Sequence, residues 1–227
     1  MCGRYTITVT FEELMTRYFI DDPSFDQYAP KFNAAPMQYI PAVIHDGKRN
    51  KLGALRWGLL PSWSKEDKNA AKLINARSES LLEKASFKSL VASRRCVIPA
   101  DGFYDWQVKE DGKHPLRIML QDGGIFSMAG LYDIWTGPDG AKISTCTIIT
   151  TAANSLMADI HDRMPVILNR DTEAQWLDRS NRDIPALMKL LQPYDSGQML
   201  AYPVSPAVGN VRNDYRELLH RAGADAV

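Results

Sequence analysis

Asp-Gly turns are the feature of this sequence that most limits its fold. Four Asp-Gly pairs, at 46–47, 111–112, 122–123 and 139–140, each lie between runs of β-type residues. Because a two-residue Asp-Gly turn matches the twist of paired antiparallel strands, each pair predicts a β-hairpin. The runs are YIPAVIH, KLGALRWG, CVIPADGFYDWQVK, HPLRIML, IFSMAGLYDIW and KISTCTIITTA. Together they predict a largely antiparallel sheet or barrel.

Short helices are predicted around this β-rich core. Thr10 and Glu13 form a capping-box pattern, and apolar residues at helical spacing follow as far as Phe19. Further helices are predicted at 78–84, 86–93, 171–177 and 184–191, with strands at 4–9 and 199–204. Residues 20–36 contain several prolines and no periodicity, which predicts a loop. Since no linker, repeat or low-complexity stretch interrupts residues 1–227, the sequence predicts a single α+β domain.

Composition is that of an ordinary globular protein. Lys plus Arg and Asp plus Glu both number 27, so there is no overall basic excess to indicate nucleic-acid binding, although a local basic patch fits this balance. The three cysteines, Cys2, Cys96 and Cys146, form no CxxC pair. We therefore expect no metal site, no cofactor and no disulfide framework. The absence of a signal-peptide pattern or a long apolar run predicts a cytoplasmic protein without membrane association.

Cys2 becomes an unusual reagent if Met1 is removed, because it then carries a free α-amine beside its thiol. The amine of such a 1,2-aminothiol can form a Schiff base with an aldehyde, and the thiol can then close on the imine carbon to give a thiazolidine ring. The ordinary pKa values of the two groups, ~8 and ~8.5, leave part of each in its nucleophilic form at neutral pH. Position alone does not show that Cys2 is functional, since a cysteine after the start codon can also be an ordinary residue of a frayed terminus.

Polar residues also occur in five segments where regular structure is predicted. These segments are FNAAP, RWGLLPSW, INARSE, PADGFYDW and IHDRMP. Each has a structural explanation: asparagines cap turns, tryptophans fill cores, carboxylates and arginines form ion pairs, and His-Asp-Arg can be a charged turn. Taken together, however, an aminothiol, an amide, a carboxylate and an imidazole are the groups that an imine-forming site requires.

Seven motifs then identify a family resemblance. MCGRY, FNAAP, RWGLLPSW, INARSE, PADGFYDW, HDRMPVIL and PVSPAVGNVRN occur in the order and spacing of the SRAP family, the SOS response-associated peptidases, over residues 2 to 213. The resemblance implies a monomer that binds single-stranded DNA containing abasic sites and is nucleoid-associated while it acts. It also implies that Cys2 forms a thiazolidine with the ring-opened deoxyribose aldehyde, which protects the lesion. The family's peptidase name implies removal of what precedes Cys2.

Site residues follow from the same motifs. The resemblance implies catalytic roles for Cys2 as nucleophile, for Asn75 in positioning the sugar or the terminus, for Asp105 as the carboxylate and for His161 in proton transfer and crosslink reversal. It implies DNA contacts for a larger set of residues: Arg4, Asn33, Pro36, Trp57, Trp63, Arg77, Lys84, Lys88 and Arg163. Lys84 and Lys88 stand where some relatives carry an arginine near position 85, and we expect them to act as point charges.

Two other functions are compatible with these residues. One is an N-terminal-nucleophile hydrolase, in which the Cys2 thiol attacks an amide and its own amine is the base; the sequence shows no oxyanion arrangement for it. The other is a non-covalent module for single-stranded DNA, in which Trp57 and Trp63 stack on bases while Cys2 is simply buried.

Asp105 departs from the family pattern, in which the segment usually ends in Glu-Trp. Aspartate holds its carboxylate about 1.5 Å further back, and a misplacement of about 1 Å can slow a reaction on the order of 100-fold. We therefore expect Asp105→Glu to speed crosslink formation or crosslink reversal, measured on denaturing gels with an abasic oligonucleotide. Equal rates for the two proteins would contradict a mispositioned carboxylate.

Overall fold

The computed structural model describes residues 2–21, 28–65 and 67–223. Within these ranges the strands are β1 (Arg4–Ile7), β2 (Lys31–Ala34), β3 (Tyr39–His45), β4 (Asn50–Trp57), β5 (Asn75–Arg77), β6 (Arg95–Ala100), β7 (Gly102–Lys109), β8 (Gly112–Leu120), β9 (Phe126–Thr136), β10 (Lys142–Ala152), β11 (Arg163–Pro165), β12 (Ile167–Leu168) and β13 (Met199–Pro203). The helices are α1 (Phe11–Tyr18), α2 (Ala85–Val91), α3 (Ser155–Ala158), α4 (Arg170–Leu177) and α5 (Ile184–Lys189). Short 3₁₀ turns include Ser78–Ser80 and Pro206–Gly209.

Two β-layers form the core, which confirms the predicted α+β class with a β-rich centre. In one layer β10, β4, β3, β6 and β9 pair in a closed ring, and β5, β11 and β12 extend it. The other layer is a five-stranded sheet in the order β13-β8-β7-β1-β2. Most pairings are antiparallel, but β10 pairs in parallel with both β4 and β5. The extent of one domain over 1–227 stays a prediction.

The Asp-Gly turns behave as predicted at three of the four positions. Those at 46–47, 111–112 and 139–140 join the paired strands β3–β4, β7–β8 and β9–β10. The turn at 122–123 is not a hairpin, because β8 and β9 belong to different layers and do not pair. The glycines of all four turns have positive φ, from 69° at Gly123 to 132° at Gly112, a region that glycine enters without a steric penalty.

Several element predictions need correction. The predicted loop at 20–36 contains β2, and Asn75–Arg77, predicted to lead into a helix, forms β5. The predicted helix at 78–84 is reduced to a 3₁₀ turn at Ser78–Ser80. The run at 96–109 is split at Asp101 into β6 and β7, which lie in different layers. For β2, β5 and the split run at 96–109, pairing with other strands overrides the local pattern.

The connection between β4 and β5 allows both strands to pair with β10. The end of β4 and the whole of β5 lie one after the other along that strand. Arg56 and Trp57 lie opposite residues 145–146 of β10, and β5 lies opposite residues 148–150. The chain leaves β4 at Gly58, whose φ of 138° favours glycine and where a Cβ would stand 2.8 Å from the carbonyl oxygen of Ala70. The RWG sequence therefore permits the turn that returns the chain to β5.

A buried carboxylate fixes β1, the strand that follows Cys2. Asp101, between β6 and β7, accepts hydrogen bonds from the hydroxyl of Thr6 and from both the backbone N–H and the hydroxyl of Thr8. The guanidinium of Arg117 on β8 donates to the same carboxylate at 3.2 Å. Because both charged side chains are more than nine-tenths buried, the pair depends on these mutual contacts.

No helix in the described parts of the chain is both long and apolar enough to cross a membrane.

Asp101→Ala is expected to lower the free energy of unfolding by about 3–5 kcal/mol, because it leaves the guanidinium of Arg117 buried without its carboxylate. Urea unfolding followed by tryptophan fluorescence measures this loss. Asp139→Ala is the control, since Asp139 lies in an exposed turn and accepts one bond from the Ala141 N–H. Similar unfolding midpoints for the two variants would show that the network does not stabilise β1.

Candidate functional site

Cys2 lies two residues before the start of β1 and has no exposed surface. Its carbonyl oxygen accepts a hydrogen bond of 2.9 Å from the side-chain amide of Asn75. Asn75 is the first residue of β5 and lies opposite Ile148 of β10, so its backbone is fixed by the parallel pairing. The other amide atom, Oδ1, is buried and has no hydrogen-bond partner among the described residues. A buried acceptor without a partner is uncommon and leaves one hydrogen bond for an incoming group.

Asp105 is brought beside Cys2 by the pairing of β1 with β7. Arg4 lies opposite Tyr104, so Asp105 is the next residue of β7 beyond the paired part. Its carboxylate is buried, and Oδ1 accepts a 2.9 Å bond from the Trp106 N–H. Burial, and then the negative charge of Asp105, raise the pKa of the Cys2 thiol to about 12. The thiol is therefore protonated at neutral pH.

His161 shares a cavity with Asp105. The cavity has a volume of about 510 Å³ and is lined by Asp105, Trp106, Val108, Lys113, His161 and Gly209. His161 follows α3, and its Nδ1 accepts a bond of 3.0 Å from the Arg163 N–H and lies 2.7 Å from an oxygen of Asp162.

Arg163 fixes the turn that carries His161. Its guanidinium donates two bonds, of 2.8 and 2.9 Å, to the two carboxylate oxygens of Glu79, and a further bond of 2.7 Å to the carbonyl oxygen of Thr150 on β10. In this structure Arg163 is thus committed to protein contacts. Arg77, by contrast, is exposed and has no ion pair or hydrogen bond from its side chain to any described residue.

Arg4 and Asn33 hold the segment at 208–213 against the site. The Arg4 guanidinium donates to the carbonyl oxygens of Val208 and Gly209 at 2.8 and 3.2 Å. The buried Asn33 amide donates to the carbonyl oxygens of Val208, Asn210 and Asn213. Since Gly209 lines the cavity, these two side chains shape its wall, a task that their sequence context did not indicate.

The two tryptophans of RWGLLPSW have different surroundings. Trp57 is fully buried, donates from Nε1 to the carbonyl oxygen of Ile74 at 2.9 Å and meets the Tyr5 ring edge-on at 5.6 Å. It supports the residue before Asn75 and offers no ring face to a base. Trp63 is 65% exposed, so its ring is accessible for stacking.

The remaining predicted DNA contacts lie outside the cavity lining. Pro36 is half-buried in the connection after β2, and Lys84 and Lys88 are exposed at and beyond the start of α2. Lys113 and Gly209, which do line the cavity, were missed by sequence reasoning. The Asp-Gly turn at 111–112 was a usable signal for Lys113, because that hairpin places it opposite Val108. In the described residues, no group of three or more His, Cys, Asp or Glu side chains could hold a metal ion.

The chain resembles known proteins in both sequence and fold. A family model described as SOS response associated peptidase (SRAP) matches residues 1–211. The abasic site processing protein YoqW of Bacillus subtilis (strain 168) is 48% identical over 222 residues, covering 96% of this chain and 99% of the relative. The abasic site processing protein HMCES of Gallus gallus is 35% identical, covering 85% of this chain and 66% of the relative. A crystal structure of a protein from Bacteroides thetaiotaomicron has a TM-score of 0.84 at 26% identity, covering 97% of this chain and 100% of that one. The chain therefore belongs to the SRAP family.

Proposed function

We propose that this protein processes abasic sites in single-stranded DNA by linking Cys2 covalently to the aldehyde of the ring-opened sugar. The observation that carries the proposal is the arrangement around Cys2, whose carbonyl is bound by Asn75 while Asp105 and His161 line one cavity beside it. The names of the relatives support abasic DNA as the substrate. The protein acts as a monomer in the cytoplasm and associates with the nucleoid at its substrate.

Exposure of the Cys2 amine is the first step of this proposal. Met1 lies outside the described residues, and hydrolysis of the Met1–Cys2 peptide bond consumes one water and releases methionine. The proposed self-processing activity uses the same side chains, with Asp105 and His161 moving protons at the bond. The reagent that results is the aminothiol.

The amine reacts before the thiol in this scheme. In the chain that still carries Met1, burial and Asp105 raise the pKa of the Cys2 thiol to about 12. In the proposed scheme the buried thiol also keeps its proton after Met1 is removed, so the amine adds first. The amine adds to the aldehyde carbon, and the carbinolamine loses water to give an imine. The S–H then adds across the C=N bond: sulfur bonds to carbon, and the proton passes to nitrogen by way of the Asp105 carboxylate. One aldehyde and one aminothiol give one thiazolidine and one water.

Asn75 and His161 have separate tasks in these steps. The Asn75 amide holds the Cys2 carbonyl, which fixes the direction of the adjacent amine, and its unpartnered Oδ1 accepts a hydrogen bond from the amine or a sugar hydroxyl. His161 donates a proton to the hydroxyl that leaves the carbinolamine. The same group, acting in reverse, assists opening of the ring.

A covalent adduct with abasic DNA is the direct test. The purified protein, with loss of Met1 first checked by intact mass, is incubated with a single-stranded oligonucleotide carrying one abasic site and run on a denaturing gel. We expect a stable adduct whose mass equals protein plus DNA minus one water. Cys2→Ala abolishes the thiazolidine, and Cys2→Ser gives an imine that survives only after borohydride reduction.

Cys146→Ala is the matched control, because Cys146 is buried in β10 and has no role in the scheme. It should crosslink like the unmodified protein. A stable adduct with Cys2→Ala would reject the proposal. DNA binding without any adduct would favour the non-covalent module, and cleavage of added amide substrates without an adduct would favour the hydrolase.

Arg77 and Arg4 are expected to differ in their effect on DNA binding. Arg77→Ala removes an exposed, unpaired cation and should weaken binding to all sequences while reducing the slope of log K against log salt by about 1. Arg4→Ala should leave that slope nearly unchanged, because Arg4 is occupied by the carbonyl oxygens of Val208 and Gly209. Fluorescence anisotropy over a salt series measures both. Equal slopes for the two variants would contradict this assignment.

A further inference from the structure

A second cavity lies where β5 continues into the 3₁₀ turn at Ser78–Ser80. It has a volume of about 400 Å³, and its lining includes Ser78, Thr151, Met188, Leu191, Gln192 and Pro193. None of the residues that line it also lines the cavity of Asp105 and His161. It is bounded by the end of β10 on one side and by α5 with the residues after it on the other.

Two polar side chains of this cavity, Thr151 and Gln192, have no hydrogen-bond partner among the described residues. Thr151 is only 5% exposed, yet its hydroxyl takes part in no hydrogen bond to a described residue. The side-chain amide of Gln192, exposed at the rim, is equally without a described partner. Because the Thr151 oxygen is not among the fully buried atoms that lack a partner, it keeps some accessible surface at the cavity, where it and the Gln192 amide are available to hydrogen-bond a ligand.

The remaining walls suit a flat, uncharged group. Met188, Leu191 and Pro193 supply apolar surface, and methionine adapts readily to the face of an aromatic ring. Glu79, the charged residue at this cavity, is neutralised by its two bonds to Arg163. A phosphate would find no unpaired cation inside the cavity, whereas a nucleobase would find both stacking surface and hydrogen-bonding groups.

Arg77 connects this cavity to the Cys2 site. It lies opposite Thr150, the neighbour of Thr151, and its exposed side chain makes no ion pair or hydrogen bond to a described residue. Asn75 and Arg77 are two residues apart on an extended strand, a distance of about 7 Å. One nucleotide of an extended single strand can span that distance, so a sugar at Asn75 and a phosphate at Arg77 can belong to neighbouring nucleotides.

We propose that this cavity binds the nucleobase of a nucleotide adjacent to the abasic site. Met188, Leu191 and Pro193 contact the base ring, and Thr151 and Gln192 hydrogen-bond its edge. The proposal rests on the proposed function, since it names the part of the DNA substrate that is held beside the lesion. It gives the protein a means of preferring one sequence context around an abasic site over another.

The test uses the intact protein and single-stranded oligonucleotides with one abasic site. The nucleotide on its 5′ side, or on its 3′ side, carries each of the four bases in turn or is a tetrahydrofuran spacer, which has neither base nor aldehyde. We expect that removing the base on one of the two sides slows crosslinking at limiting protein about fivefold or more. Thr151→Val and Gln192→Ala should each reduce that dependence to about twofold.

Thr136→Val is the matched control, because Thr136 is exposed and lies opposite Lys142, at the far end of β10 from Thr151. It should keep the full dependence on the neighbouring base. Crosslinking that is equally fast with and without a base on either side would overturn this proposal and leave the proposed function standing. The same holds if both cavity variants keep the full dependence. Failure of the unmodified protein to form any adduct would overturn both.

Discussion

Strand β10 provides the pairings on which both the fold and the site depend. Its antiparallel pairing with β9 and its parallel pairing with β4 close the ring of strands, and its later residues pair with β5 and β11. The pairing with β5 brings Asn75 close to Cys2. The pairing with β11 places the turn that contains His161 at the same edge of the sheet. The site is therefore an extension of the barrel. Backbone hydrogen bonds to one central strand, β10, fix the positions of its residues.

Burial of Cys2 has a chemical consequence as well as a structural one. A thiol that is fully buried beside a carboxylate keeps its proton, which protects it from oxidation and from stray electrophiles. A reaction that begins at the amine does not need a thiolate at the start, and it uses the thiol only after the imine has formed at the neighbouring atom. Low thiol reactivity and a covalent role for Cys2 are thus compatible, provided that the terminus is free.

The polar side chains of the sequence motifs fall into two groups in this structure: some are hydrogen-bonded to other protein groups, and others have unpaired atoms. Asn33 and Arg4 satisfy backbone carbonyls of the segment at 208–213, and Arg163 ties the His161 turn to Glu79 and Thr150. Among the described residues, the Oδ1 atom of Asn75 and the whole side chain of Arg77 have no partner. A positioning residue already uses its hydrogen bonds within the protein, whereas a residue that can contact a ligand has some of them free. Residue type alone does not reveal which of the two applies.

Local chemistry in the sequence was enough to determine the β-rich class, most strand positions and three hairpins, whereas the site residues were named from the family resemblance and stay a prediction. Asp-Gly turns, alternation and capping act over a few residues, so they can be recognised without the fold. Only the tertiary structure decided that the turn at 122–123 joins two layers, that β5 is a strand, that Trp57 is inaccessible, and that Thr151 lines a second cavity. Each of these depends on β10 meeting residues far away in the chain, and the free energy of such long-range pairing and burial is absent from any short stretch of sequence.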